Sequence, residues 1–246
     1  MDFFPVIFSQ PRKKWTPKML PNLKLWLRAD LGVTLNGSNV STWADQSGNG
    51  NNVTQGTANK QPLYVASDAN IRNKPVLDFD GVRHQLQGDY GAALTGAKNW
   101  SLIVVYQADT LTGTRSAVSV GAGGNGYDFI INFAGTGKRE VVAKGVGEMI
   151  DGNATSNYEI WTATRDNQAT AVTTLRVNGV AQTLTPSTVV VSAPGVSVSI
   201  GANFTVSFLD GKVAEVILCS SDISTTASNI TKLHTYLNRR YGIAIS

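Results

Sequence analysis

The chain has 246 residues, a formal net charge of +4, a single cysteine and two histidines. One cysteine excludes an intramolecular disulfide, and two histidines cannot assemble a zinc site of familiar spacing. Charged residues make up only 15% of a chain that holds 24 glycines, which favours turn-rich β structure over a helical bundle. No interleaving of basic and aromatic residues marks a nucleic-acid groove.

Residues 1–21 read as an N-terminal arm, because prolines and the basic cluster Arg12-Lys13-Lys14 interrupt its apolar run. Its aromatics Phe3, Phe4, Phe8 and Trp15 are candidates for attachment to a partner; the alternative is that they pack back on their own domain. The apolar stretch from Phe3 to Phe8 follows Asp2 and precedes the basic residues, the reverse of a secretory signal, and no run reaches the length of a membrane span.

Residues 22–246 read as one domain. Leu23 to Ala29 is the opening strand, with Trp26 as a core anchor, and a Gly-, Asn- and Ser-rich loop follows from Asp45 to Asn52. Further strands are expected at 75–79, 100–108, 117–120, 127–133, 140–144, 158–165, 173–177, 196–200 and 212–219, each bounded by Gly, Asn or Asp. Asn178-Gly179 predicts a type I′ hairpin turn. Ile230, Leu233, Leu237 and Tyr241 recur at helical spacing, with Gly242 just beyond, so a helix is expected over about 224–241.

Four motifs, taken in order, carry a resemblance. Leu25-Trp26-Leu27-Arg28-Ala29-Asp30 leads into Val40 to Asn51, with Trp43-Ala44-Asp45-Gln46-Ser47-Gly48 at its centre. Val76-Leu77-Asp78-Phe79-Asp80-Gly81 comes next, and Phe208 to Leu218 precedes the tail from Tyr236 to Ile243. Over residues 22–245 the chain resembles the concanavalin A-like lectin/glucanase superfamily, in the laminin-G-like form found on phage and bacterial surface proteins. The resemblance implies an all-β, antiparallel jelly-roll sandwich with the arm in front and one C-terminal α-helix behind.

That superfamily includes hydrolases, which carry an alternating Glu-x-Asp-x-Glu strand motif. The four glutamates here, Glu140, Glu148, Glu159 and Glu215, show no such spacing, so a non-enzymatic role is expected. Glu215 interrupts an apolar strand and needs strong donors or a cation such as Arg28; the resemblance, whose counterpart at this motif is acidic too, implies a structural role for it.

Asp78 and Asp80 fall on one face of a strand, and Asp45 and Asn49 sit in the oxygen-rich loop; these four are candidate calcium ligands, calcium being the one cofactor considered. The competing reading is that Asp80 and Asp45 cap turns. Arg83 and His84 follow the Asp-Gly turn, while Asn125 and Tyr127 border a glycine-rich loop; all four are candidate ligand-binding residues, with Tyr127 offering a ring face to a sugar. Tyr64 and Tyr90 are weaker candidates of the same kind.

A composition of the extracellular type without an export signal is reconciled by a phage virion surface protein, assembled inside the cell and released by lysis. The expectation is therefore a capsid decoration, head-fibre or tail-associated protein. Its arm would meet capsid or tail proteins and its loops would meet cell-surface glycans, with homo-oligomerisation left open and no nucleic-acid partner. A carbohydrate-active enzyme or a freestanding carbohydrate-binding module is the alternative, and a particle-stabilising protein without a ligand is a third.

Overall fold

The computed structural model describes residues 14–90, 99–121, 127–132, 138–143, 146–166, 172–183 and 197–246. In chain order the strands are β1 (Leu23–Arg28), β2 (Val33–Asn36), β3 (Asn39–Trp43), β4 (Val53–Thr54), β5 (Leu63–Asp68), β6 (Lys74–Asp80), β7 (Leu86–Asp89), β8 (Trp100–Ala108) and β9 (Arg115–Val120). They continue with β10 (Tyr127–Asn132), β11 (Lys138–Ala143), β12 (Val146–Asn153), β13 (Glu159–Asp166), β14 (Val172–Val177), β15 (Val180–Ala181), β16 (Ser197–Ile200) and β17 (Asp210–Cys219). Helix α1 (Ala227–Tyr241) follows.

The pairings between these strands are antiparallel and build two layers. In the first, β17 pairs with β8 along one edge, and β8 continues through β13 to β14 and β15. The other edge of β17 is shared: β6 takes Asp210 to Val213, and β1 takes Glu215 to Cys219. The second layer runs β2-β3-β4-β7-β16-β9-β10-β11-β12. A bridge between Asn39 and Leu63 ties β3 to β5 where the layers meet.

Two cores explain the apolar middle of the central strand β8. Along β8, Trp100, Leu102, Val104 and Tyr106 face the second sheet, where they meet Trp43, Val118 and Ile200 among others. Ile103 and Val105 face the opposite way, onto Ile217, Leu233 and Leu237. A strand buried on both faces reads as an unbroken apolar run, which is what the sequence shows from Leu102 to Val105. The molecule is thus layered as sheet, core, sheet, core, helix.

Helix α1 begins after a 3₁₀ turn at Ile223–Thr225, which Asp222 caps through the Ser224 amide at 2.7 Å. It ends on Gly242, whose φ of 76° permits the left-handed cap and whose amide donates to the Asn238 carbonyl at 2.8 Å. The predicted hairpin is present: Asn178 and Gly179 both have positive φ, 50° and 86°, as a type I′ turn requires. At Gly201 the side-chain vacancy is packing as well as torsion, because an added Cβ would lie 2.0 Å from the Phe79 ring. The arm as drawn from sequence is only partly separate, since Pro17–Met19 forms a 3₁₀ turn and Leu20 is buried in the helix-side core.

Candidate functional site

Glu215 stands on β17 facing α1, within the helix-side core, and is fully buried. The indole of Trp26 donates to Oε1 at 2.7 Å, the Tyr236 hydroxyl to Oε1 at 2.9 Å and the Tyr241 hydroxyl to Oε2 at 2.6 Å. Burial pushes its carboxyl above the usual glutamate range, against the pull of Tyr241, Arg240, Trp26 and Tyr236. The nearby cation is Arg240, whose Nε lies 3.5 Å from Oε2, and not Arg28, which the sequence had offered for that place. Arg28 pairs instead with Asp30 at 2.6 Å, and Asp30 in turn with Arg240 at 2.5 Å. A helix residue 25 positions downstream reaches the carboxylate before its own strand neighbour does.

Tyr236 and Arg240 of this centre also line a cleft. Tyr236 turns its hydroxyl inward to Glu215, and its ring meets Trp15 edge-to-face, centroids 5.9 Å apart. Around these two rings opens a cavity of about 500 Å3 between the segment at Lys14, the turn and strand start at Arg72 to Lys74, and the outer face of α1. The α1 face contributes Thr231, Lys232, Thr235, Arg239 and Arg240. No carboxylate lines the cavity, whereas six of its ten lining residues are cationic. Helix α1 itself contains neither Asp nor Glu, so its solvent face carries one sign of charge.

Of the sequence-derived candidates, Trp15, offered for partner attachment, lines this cleft and packs back against the helix-side core; the other described ones fall elsewhere and do not converge. Asp80 caps its own turn, with Oδ1 accepting the amides of Val82, Arg83 and His84 at 2.9–3.0 Å and Oδ2 the Arg83 side chain at 3.2 Å. Burial opposes ionisation there, but the three amides and His84 hold the carboxyl down at about 2. Arg83 and His84 are thus bound to Asp80. Asp78, two residues earlier, is half-buried; burial raises its carboxyl, with Lys212 opposing.

Asp45 latches its loop onto β1. Oδ1 accepts the amides of Trp26 and Ser47, and Oδ2 accepts the Ser47 hydroxyl and the Asn51 amide. Asn49 donates from Nδ2 to the carbonyls of Leu23 and Lys24 at 2.9 and 3.2 Å. Asp45 serves Trp26, opposite Ile217, whereas Asp80 lies opposite Asp210, so the two candidate calcium pairs sit about 20 Å apart along β17. Among the described residues no group of three or more His, Cys, Asp or Glu could hold a metal ion.

Tyr127 opens β10 opposite Val120, at the far end of β9 from Arg115, whose Nη1 donates to the Gly81 carbonyl beside Arg83. The length of β9 separates Tyr127 from the Arg83 turn by about 16 Å. Asn125 lies outside the described residues, as do Phe3, Phe4 and Phe8. Tyr90, weighed as a stacking residue, is only 2% exposed in the inter-sheet core and has no face to offer. Cys219 is buried, which pushes its thiol up to about 12 and leaves it inert.

No family model and no curated protein matches the chain. Solved structures do. Domain 4 of AbnA, a GH43 extracellular arabinanase from Geobacillus stearothermophilus, solved in complex with arabinotriose, superposes with a TM-score of 0.59 at 15% identity, over 87% of this chain and 99% of that domain. The chain is an all-β jelly roll by fold. The receptor-binding domain of botulinum neurotoxin type G shares the jelly roll at a TM-score of 0.61 and 10% identity, over 87% of this chain and 51% of that one. A Trypanosoma rangeli sialidase, solved as a covalent intermediate with 2,3-difluorosialic acid, gives 0.60 and 15% over 96% of this chain and 36% of its own. The jelly roll therefore spans about half of the toxin domain and about a third of the sialidase. Among its described residues no helix is long and apolar enough to cross a membrane.

Proposed function

We propose that this jelly roll is a non-enzymatic carbohydrate-binding domain of a phage virion surface protein, attached to capsid or tail proteins through its N-terminal arm. The observation that carries the binding reading is the cleft on α1. It pairs the rings of Trp15 and Tyr236 with Thr231, Thr235 and flexible cations, the mixture of apolar faces and hydrogen-bonding groups that sugar rings require. The likeness in fold to the whole of an arabinanase domain solved with arabinotriose supports the same reading.

The non-enzymatic part is supported by how two buried glutamates are engaged. Glu215 is occupied as above, and Glu159 accepts from Arg139, Thr155 and Trp161. A hydrolase is the second reading, favoured by one observation: Asp78 and Asp80 are pushed in opposite directions, as an acid and its partner would be. Release of reducing ends from a polysaccharide, abolished by Asp78→Asn, would establish it.

The binding reading is tested by applying the purified chain to a glycan and bacterial-envelope array. Selective binding lost in Trp15→Ala supports it, and silence across the array overturns it. The virion assignment is tested separately: removing residues 1–13 should abolish attachment to particles while leaving the jelly roll folded. Normal decoration by the truncated chain would refute the role given to the arm.

A further inference from the structure

The cations of the cleft do not all have the same explanation. Arg239 and Arg240 lie in the last turn of α1, where positive charge suits the helix dipole, and Arg72 donates from Nη1 to the Arg239 carbonyl at 2.6 Å. Arg240 is further held by Asp30 and Glu215. Structure accounts for these three. It does not account for Lys14, Lys74 and Lys232, which come from three separate segments and make no ion pair among the described residues. Lys74 lies in register with Asp68, but the oxygens of Asp68 are taken by the Asn70 amide and the Tyr158 hydroxyl. Gathering like charges around one cavity with no acid in its wall costs self-repulsion, which an anion in the cavity relieves.

We infer that the cleft binds anionic saccharides, sugars bearing carboxylate or sulfate groups, with Lys14, Lys74 and Lys232 meeting the charge and Trp15 and Tyr236 meeting the ring. This rests on the carbohydrate-binding reading and narrows it. A nucleic acid suits the cleft less well. The two rings meet at 60° and form no series of stacking platforms, and the charge surrounds a cavity of about 500 Å3 without tracing a groove along a strand. Tyr236 is a positioning as well as a contact residue, because its ring is fixed by the hydroxyl bond to Glu215.

The test is calorimetric titration of the full chain with three probes: an oligogalacturonate, the same oligomer as its neutral methyl ester, and inorganic polyphosphate, which carries charge without a sugar ring. Lys74→Gln with Lys232→Gln is the variant, since both side chains reach solvent and their loss leaves the core intact. The inference expects the acidic oligomer to bind best, its affinity to fall with added salt, and the double variant to weaken it about tenfold. Equal binding of ester and acid, unchanged in the variant, overturns the preference for anions while leaving a sugar-binding site. Binding of polyphosphate alone, or of no probe, overturns the saccharide reading of this cleft altogether, and the array result then decides whether sugars bind elsewhere on the jelly roll.

Discussion

The indole N–H of Trp26 on β1 reaches the Glu215 carboxylate on β17 at 2.7 Å, although 189 residues separate them in the chain. With the hydroxyls of Tyr236 and Tyr241 on the same carboxylate, one buried acid fastens the first strand, the last strand and the helix. Glu215→Ala leaves those donors without their acceptor and should cost about 3–5 kcal/mol in urea unfolding. Glu215→Gln keeps an acceptor oxygen and should cost roughly half as much. Because burial raises this carboxyl above 4.5 in the folded state, the native protein holds the proton more tightly, so its contribution to stability is full below about pH 4.5 and is lost as pH rises through the folded value. That component should be missing from the pH profile of Glu215→Gln.

His234 works in the opposite direction. It is buried on the inner face of α1 and shares a 3.0 Å hydrogen bond with Thr162, and burial, with Arg176 second, lowers its pKa from 6.5 to about 4. The unfolded chain therefore takes up a proton that the native state refuses, and stability present above pH 6.5 drains away as pH falls toward 4. Thermal melts of His234→Gln, which can still bond Thr162, should lose this slope between pH 6.5 and 4. An unchanged slope would mean that another group carries it.

Asp80 holds the turn that carries Arg83 and His84. Asp80→Ala frees three amides and should cost about 1 kcal/mol, as loss of a cap does. With its folded pKa near 2, the stability it contributes above about pH 4 is lost only as pH falls through about 2. Arg83→Ala removes an ion pair whose arginine side chain is 56% exposed and should move stability by less than about 0.5 kcal/mol. Chemical denaturation of the pair of variants at neutral pH distinguishes the two contributions.

Two glycines with similar torsions should behave differently. Gly201 (φ 81°) presses on the Phe79 ring, so Gly201→Ala adds a clash to an unfavourable backbone and should cost about 2–4 kcal/mol. Gly37 (φ 64°) faces open space, and Gly37→Ala should cost only the backbone term, about 1 kcal/mol. Denaturation midpoints of the two variants, compared directly, check this.

What the sequence made legible follows burial. Strands β8 and β17 announce themselves because both faces are covered over the unbroken apolar runs Leu102 to Val105 and Val216 to Leu218. Strands β2, β3 and β5 were absent from the sequence reading; Val33–Asn36 is largely exposed and pairs at the margin of the sandwich, where propensity is weak and partners decide. Glu215 could be singled out because a carboxylate in an apolar strand must be paid for. Its partner could not, since Arg240 comes from a helix whose docking is a tertiary event. The cleft was missed for the same reason: Lys14, Lys74 and Lys232 are ordinary surface residues in their own segments. One signal was present in the tail, a helix with Lys232, Arg239 and Arg240 and no acid to balance them.

The shared edge of β17 sets the order in which the molecule can be completed. Strands β1, β6 and β8 all wait for a partner that is synthesised more than a hundred residues after β8, so until Asp210 to Cys219 emerges from the ribosome they have no central strand to join. Closure therefore waits for β17, and a chain cut short before it would expose open strand edges and the apolar faces of both cores, the ingredients of aggregation. The place of the first strand is thus set by residues far downstream of it, in β17.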